Sequence, residues 1–205
     1  MNPRLVLILQ VRKKLSKSFF QDKDVVLLAK KLLGKRLCTN FDGIFTSGII
    51  TETEAYAGIA DKASHAYGGR FTDRTKVMYE AGGTAYIYLC YGLHHLFNVV
   101  TNKKGTPHAI LIRAVYPDNG VEHMLTRRKK KKQDKTLTAG PGSVAQALGI
   151  TTKFSGTSLM GQQIWIEDAG LKVEAKDILA GPRVGVDYAG KDAGLPYRFV
   201  LKKTL

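Results

Sequence analysis

Acidic residues are scarce in this 205-residue chain: 17 Asp and Glu stand against 32 Lys and Arg, a formal net charge of +15. That excess argues against a self-contained neutral surface and favours a polyanionic partner, either nucleic acid or an anionic membrane surface, with nucleic acid the better fit. Cysteine is scarcer still. Cys38 and Cys90 have no metal-ligand spacing, and they read as buried thiols in a reducing compartment. No apolar run is long enough to span a bilayer, so no membrane partner is expected. There is no internal repeat and no linker rich in Pro, Gly or Ser, so one domain over residues 1–205 is expected. The opening, "MNPRLVLILQVRKKL", sets a short apolar stretch before its basic residues. A signal peptide would put the charge first and end at a small-residue cleavage site. Residues 1–18 therefore read as a basic tail, and cytoplasmic residence is expected. A chain of this length buries a core without disulfides or a metal.

What is present is mixed in period. "DKDVVLLAKKLLGKRL" predicts a helix, with Asp22 or Asp24 as cap, an apolar stripe from Val25, Leu28 and Leu32, and Gly34 as a stop. "RLCTNFDGIFTSGIITETEAY" predicts two strands turning at Asp42-Gly43. "KASHAYGGRFTDRTKVMY" reads as a surface loop. "TAYIYLCYGLHHLFNVVTNKKGTPHAILIRAVYP" reads as two or three strands, the last ended by Pro117. "DNGVEHMLTRR" is a short helix running into the basic stretch at 127–136, expected as a mobile loop. "GPGSVAQALGI" is a tight turn into a two-turn helix, and short strands and turns follow, "QIWIED", "PRVGVDYAG" and "YRFVL" among them. The sum is an α+β fold with mostly antiparallel, hairpin-connected strands.

"GIITETEAYAG" raises the functional question. As a strand it puts Glu52, Glu54 and Tyr56 on one face. A carboxylate on a surface that meets phosphates is repelled by its ligand, and chemistry is the reason to keep one there. Carboxylates activate water or steady a developing cation, as needed when a sugar–base bond breaks through an oxocarbenium-like state. The plainer alternative is the wet face of an exposed strand. Tyrosines follow: Tyr86 and Tyr88 alternate on one strand, Tyr91 lies just beyond, and His65 sits in a Gly-rich segment. An extruded base needs flat walls, although tyrosines on a strand also serve as ordinary packing.

The stretches "GIITETEAYAGIADKASHAYGGRFTDRTKVMY" and "AYIYLCYGLHHLFNVV", with "AILIRAVYP", "GPGSVAQALGI", "PRVGVDYAG" and "YRFVL" in order, resemble the alkyladenine (3-methyladenine) DNA glycosylase family from about Leu32 to Leu201. The resemblance implies a curved, mostly antiparallel sheet with surrounding helices and a protruding β-hairpin. It implies Glu54 as the water-activating base, with Arg113 near the water and the Val184 carbonyl holding it. It implies Tyr56, His65 and Tyr88 as walls of the base pocket, Asn98 as its floor and Tyr91 as the side chain that wedges into the duplex. Arg70, Arg74 and Arg127 are expected as phosphate contacts. Glu52 is expected to be structural, an ion-pair partner for a nearby arginine. Both His94 and His95 are expected in the core or on the surface. The partner implied is double-stranded DNA containing damaged purines, met by a monomer without cofactor or metal. Two other readings stand beside it: a bifunctional glycosylase/lyase using a lysine amine, and a non-enzymatic nucleic-acid-binding module. A metal-dependent hydrolase is weaker, since His65, His94 and His95 form no recognisable ligand set with the glutamates.

Overall fold

The computed structural model describes residues 13–202, so residues 1–12 of the expected tail lie outside the described residues. Residues 13–18 do not form a tail. Lys14 bridges to Glu167, and a one-turn helix, α1 (Lys17–Phe20), buries Phe20. Helix α2 (Val25–Leu32) forms where the apolar stripe predicts, burying Val25, Leu28, Ala29 and Leu32. Its cap is Asp24, whose carboxylate accepts from the Leu27 N–H at 2.9 Å. Asp24→Ala leaves that amide without its partner and is expected to cost about 1 kcal/mol, a fall in Tm of about 2–4 °C for a chain of this size, checked by thermal unfolding.

Strands β1 (Arg36–Phe41) and β2 (Ile44–Tyr56) pair around Asp42-Gly43. Both turn residues have positive φ, +53° and +79°, which a two-residue hairpin loop demands and which Asp and Gly tolerate. Then come β3 (Ala85–Cys90), β4 (His94–Thr101), β5 (His108–Asn119), α3 (Val121–Arg127), α4 (Pro141–Leu148), β6 (Ile164–Glu167), β7 (Ile178–Gly181) and β8 (Arg198–Leu201). The sheet order is β3-β4-β5-β2-β1-β6, with β8 pairing both β2 and β7. Every pairing is antiparallel. The sheet curls into a half-barrel with helices about it, so the fold is α+β as expected.

Strand alternation separates stability from function. Ile87, Phe97, Val99, Ile110 and Ile112 point to one face and join Leu28, Leu32, Val144 and Leu148 of α2 and α4 in the main core. The residues between them, Tyr86, Tyr88, Asn98, Ala109 and Leu111, point to the other face.

The structure departs from the sequence reading at several places. β5 continues through Pro117 to Asn119. Pro117 faces Gly48 where the β2–β5 register shifts, and a missing N–H is tolerated at such an irregularity. The segment 62–79 is not merely a surface loop: Ala63, Ala66, Thr75 and Met78 are buried, Met78 within a short 3-10 turn. The basic stretch expected as a mobile loop makes contacts at some of its basic residues. Arg128 donates to Gln146 and to the Leu137 carbonyl, and Lys130 pairs with Asp134. Cys38 is buried, but Cys90 is only half-buried, because it sits at the base of the projecting β3–β4 turn.

Candidate active site

The pocket face of the sheet opens into a cavity of about 750 Å³ lined by Glu54, Tyr56, His65, Tyr88, Asn98 and Arg113 among others, a volume that suits a small organic ligand. Glu54 lies at its floor with no solvent exposure, which removes the exposed-strand alternative. Its Oε1 accepts the Val184 N–H at 2.8 Å, and its Oε2 accepts the Tyr56 hydroxyl at 2.9 Å. Arg113 Nη1 stands 3.4 Å from Oε1. All three neighbours are donors, so both carboxylate oxygens are oriented. Burial, with the adjoining carboxylate, raises the Tyr56 hydroxyl well above the usual phenol range and keeps it a donor.

Two bulges aim this group. The β2–β5 register shifts between Ile50 and Glu52 and again between Glu52 and Thr53, which leaves Thr51 and Arg113 without opposite partners. Bulges re-aim side chains beside active sites. Here Arg113 Nε reaches Glu52 Oε1 at 2.8 Å, and Arg198 Nε reaches the same oxygen at 2.7 Å. Glu52 is thus held between two guanidiniums. Burial works against the Arg113 charge, yet Glu54 and Glu52 outweigh it and raise its pKa.

The aromatic wall is a linked set. His65 and Tyr88 meet edge to face at 4.7 Å. His65 Nδ1 lies 2.9 Å from the Tyr86 hydroxyl, and Arg74 Nη2 lies 3.1 Å from His65 Nε2. Guanidinium nitrogens only donate, so this network assigns Nε2 as the acceptor and the ring proton to Nδ1, which donates to Tyr86. Burial and the Arg74 and Arg70 charges push His65 down to about 4, so its imidazole is neutral at pH 7. Burial pushes the Tyr86 hydroxyl up to about 12. Asn98, almost fully buried, donates its amide to the Tyr86 and Leu96 carbonyls.

Tyr91 stands apart from this wall. It is 89 % exposed at the tip of the β3–β4 hairpin, with Leu93 at 76 %. Its φ is +51° and that of Gly92 is +70°, and the Leu93 N–H closes the turn on the Cys90 carbonyl at 3.0 Å. A left-handed tyrosine is uncommon and marks a position worth its strain.

The three arginines expected at phosphates lie in different settings. Arg74 lies along the cavity wall, with its guanidinium 4.7 Å from the Tyr88 ring centroid. Arg70 is exposed and its backbone carbonyl accepts from the Tyr79 hydroxyl. Arg127 is not among the cavity residues. Its Nη1 donates to Thr46 Oγ1 and to the Ala147 carbonyl, so it ties α3 to the sheet and α4 rather than standing free for phosphate. Val184 meets Glu54 through its N–H, an interaction the sequence reading does not include. His95 accepts the Thr152 N–H, whereas His94 lines the cavity and packs so close to Gly142 that a Cβ there would sit 3.0 Å from the imidazole.

Sequence reasoning misses the support behind the site. Arg183 is buried and donates to both oxygens of Asp61, at 2.5 and 2.9 Å, and to the Ala55 and Asp192 carbonyls. Its guanidinium lies 4.8 Å from the Tyr56 centroid. Asp61 also accepts the Ala57 and Ala63 N–H groups. The available signal is position alone: Arg183 directly precedes Val184, and Asp61 opens the segment leading to His65. Tyr188, exposed at the rim and donating to the Ala63 carbonyl, is missed as well.

Among the described residues, no helix is long and apolar enough to cross a membrane, and no group of His, Cys, Asp and Glu could hold a metal ion. The profile of the family described as Methylpurine-DNA glycosylase matches residues 18–205. A protein of Chlamydia felis (strain Fe/C-56), named "Putative 3-methyladenine DNA glycosylase", is 50 % identical over 188 residues, covering 91 % of this chain and 95 % of the relative. A Bacillus cereus (strain G9842) protein of the same name is 49 % identical over 192 residues, covering 89 % of this chain and 93 % of the relative. With a family profile matched across nearly its whole length, the chain belongs to the methylpurine-DNA glycosylase family.

Proposed function

We propose that this protein is a monofunctional DNA glycosylase acting as a cytoplasmic monomer. It takes alkylated or deaminated purines out of duplex DNA and hydrolyses the N-glycosidic bond with water activated by Glu54. The observation that carries this reading is Glu54 itself, a wholly buried carboxylate at the floor of an aromatic-walled cavity in a strongly basic chain.

Tyr91 enters the duplex and fills the gap that the departing nucleotide leaves. The base lies among Tyr56, His65 and Tyr88, with Asn98 below it. A cationic 3-methyladenine leaves as a neutral base and takes the electron pair of the C1′–N bond with it. The water oxygen bonds C1′, and its proton passes to Glu54. Arg113 and the Val184 carbonyl are proposed as further partners of that water. Arg70 is proposed as a phosphate contact, and Arg74 as one that reaches a phosphate from the cavity wall.

The lyase alternative needs a lysine amine at C1′. Among the described residues, no lysine lines the cavity, which supports simple hydrolysis. A borohydride-trapped adduct would revive that alternative.

The test follows base release, read as alkali-labile strand cleavage, from three duplexes: one with a single hypoxanthine, one methylated and one undamaged. A chelator is present throughout. Release from a damaged duplex alone is expected, and silence on both damaged duplexes would sink the reading. Tyr91→Ala should lower kcat/KM on duplex roughly 5- to 150-fold, the equivalent of one base–aromatic stack. On a single-stranded substrate the effect should shrink, because no gap is left to fill.

A further inference from the structure

We propose that Arg74 sets the balance between positively charged and neutral damaged bases in this pocket. The inference rests on the glycosylase reading above and concerns what the pocket selects rather than how it cuts.

Three guanidiniums approach the aromatic wall and the floor, and they differ in what offsets them. Arg113 is paired with Glu52 and Glu54. Arg183 is paired with Asp61 behind Tyr56. Arg74 enters no ion pair among the described residues, and the adjacent Asp73 pairs with Lys76 instead. Its charge therefore faces the cavity without a carboxylate to offset it. His65, the partner that accepts its hydrogen bond, is neutral at pH 7 and offsets nothing.

The position matters as much as the charge. The Arg74 guanidinium lies within cation–π distance of Tyr88, one of the rings proposed to hold the base. A cationic alkylpurine is drawn to an electron-rich ring, but this ring already has a cation. The incoming base must share Tyr88 with Arg74 and is repelled by it at close range, an effect that solvent at the exposed guanidinium moderates but does not remove. A neutral purine such as hypoxanthine meets no such repulsion, and a planar guanidinium stacks with flat neutral rings. Arg74 thus holds the pocket open to neutral lesions and tempers its attraction for charged ones.

The test compares the full-length wild type with Arg74→Gln and Arg74→Lys. Single-turnover kcat/KM is measured on matched duplexes carrying 7-methylguanine or hypoxanthine, and the readout is the ratio of the two. If Arg74 only held a DNA phosphate, its removal would weaken both substrates alike and cancel in the ratio. Arg74→Gln is expected to raise the 7-methylguanine to hypoxanthine ratio roughly 2- to 30-fold. Arg74→Lys, which keeps the charge, should stay within about twofold of wild type. A ratio that does not move in Arg74→Gln, or that falls, overturns the proposal, as does a wild type that releases 7-methylguanine alone. A wild type that releases neither base sinks the glycosylase reading and this proposal with it. Arg74 is exposed, so its replacement does not threaten the core, and equal Tm values for the three proteins would verify that.

Discussion

Glu54→Gln is expected to bind damaged duplex as the wild type does and to release base about 10²–10⁴-fold more slowly. Glutamine keeps the shape of the side chain. The Val184 N–H can still donate to the amide oxygen at the Oε1 position. At the other position, the Tyr56 hydroxyl can rotate to accept from the new NH₂ group. The fold and the aromatic walls should therefore survive. What disappears is a group able to take a proton from water and a negative charge facing the oxocarbenium-like sugar. Anisotropy with a hypoxanthine-bearing duplex measures binding, and single-turnover base release measures chemistry. Wild-type cleavage by the variant would show that Glu54 is not the base. Loss of binding in step with cleavage would assign it to architecture instead.

Asp61→Asn is expected to destabilise the protein by about 3–5 kcal/mol, because it leaves the buried Arg183 guanidinium without its counter-charge. For a chain of this size that is a fall in Tm of roughly 6–20 °C. The effect should reach the active site. Arg183 holds the Ala55 carbonyl, lies beside the Tyr56 ring and directly precedes the Val184 N–H that orients Glu54. Base release measured well below the lowered Tm should therefore fall even where the variant is fully folded. Unchanged activity under those conditions would mean that the pair supports the fold alone. Pairing Asp61→Leu with Arg183→Met removes both charges and should recover part of the stability, the rest being lost with the Ala57 and Ala63 N–H groups that Asp61 satisfied. It should not recover the activity, because the carbonyls of Ala55 and Asp192 lose the donor that spans them.

The parts of this architecture legible in the sequence are local. Asp42-Gly43 encodes its own turn through two positive φ values. The alternation in "ETEAY" and "AYIYLC" places Glu54, Tyr56, Tyr86 and Tyr88 along the cavity, because a strand's side-chain period is fixed by backbone geometry. Asp24 and the stripe of α2 follow from capping and helical period in the same way. The parts that are not legible depend on distant pairings. The bulge that swings Arg113 onto Glu52 depends on how β2 and β5 share an irregular register, and no local pattern encodes it. Asp61 and Arg183 stand 122 residues apart, and no local pattern beside either one names its partner. Charge alone assigns Arg127 to phosphate, but Thr46 and the Ala147 carbonyl, distant in sequence, hold its guanidinium. The segment 62–79 reads as a loop because its buried alanines and Met78 carry no period.

The turn that carries Tyr91 has a consequence for how damage is found. Its ring is presented by a closed, hydrogen-bonded tip whose backbone already holds the left-handed shape. No disordered arm has to fold at each base step, so on the proposed reading the protein meets the double helix as a stiff stylus. The sorting then falls to the duplex. A step weakened by a poorly paired or poorly stacked base parts under the ring with the least work, and an intact step pushes it back out. On that reading the search runs on the softness of DNA, and the pocket judges only what that softness has already let through.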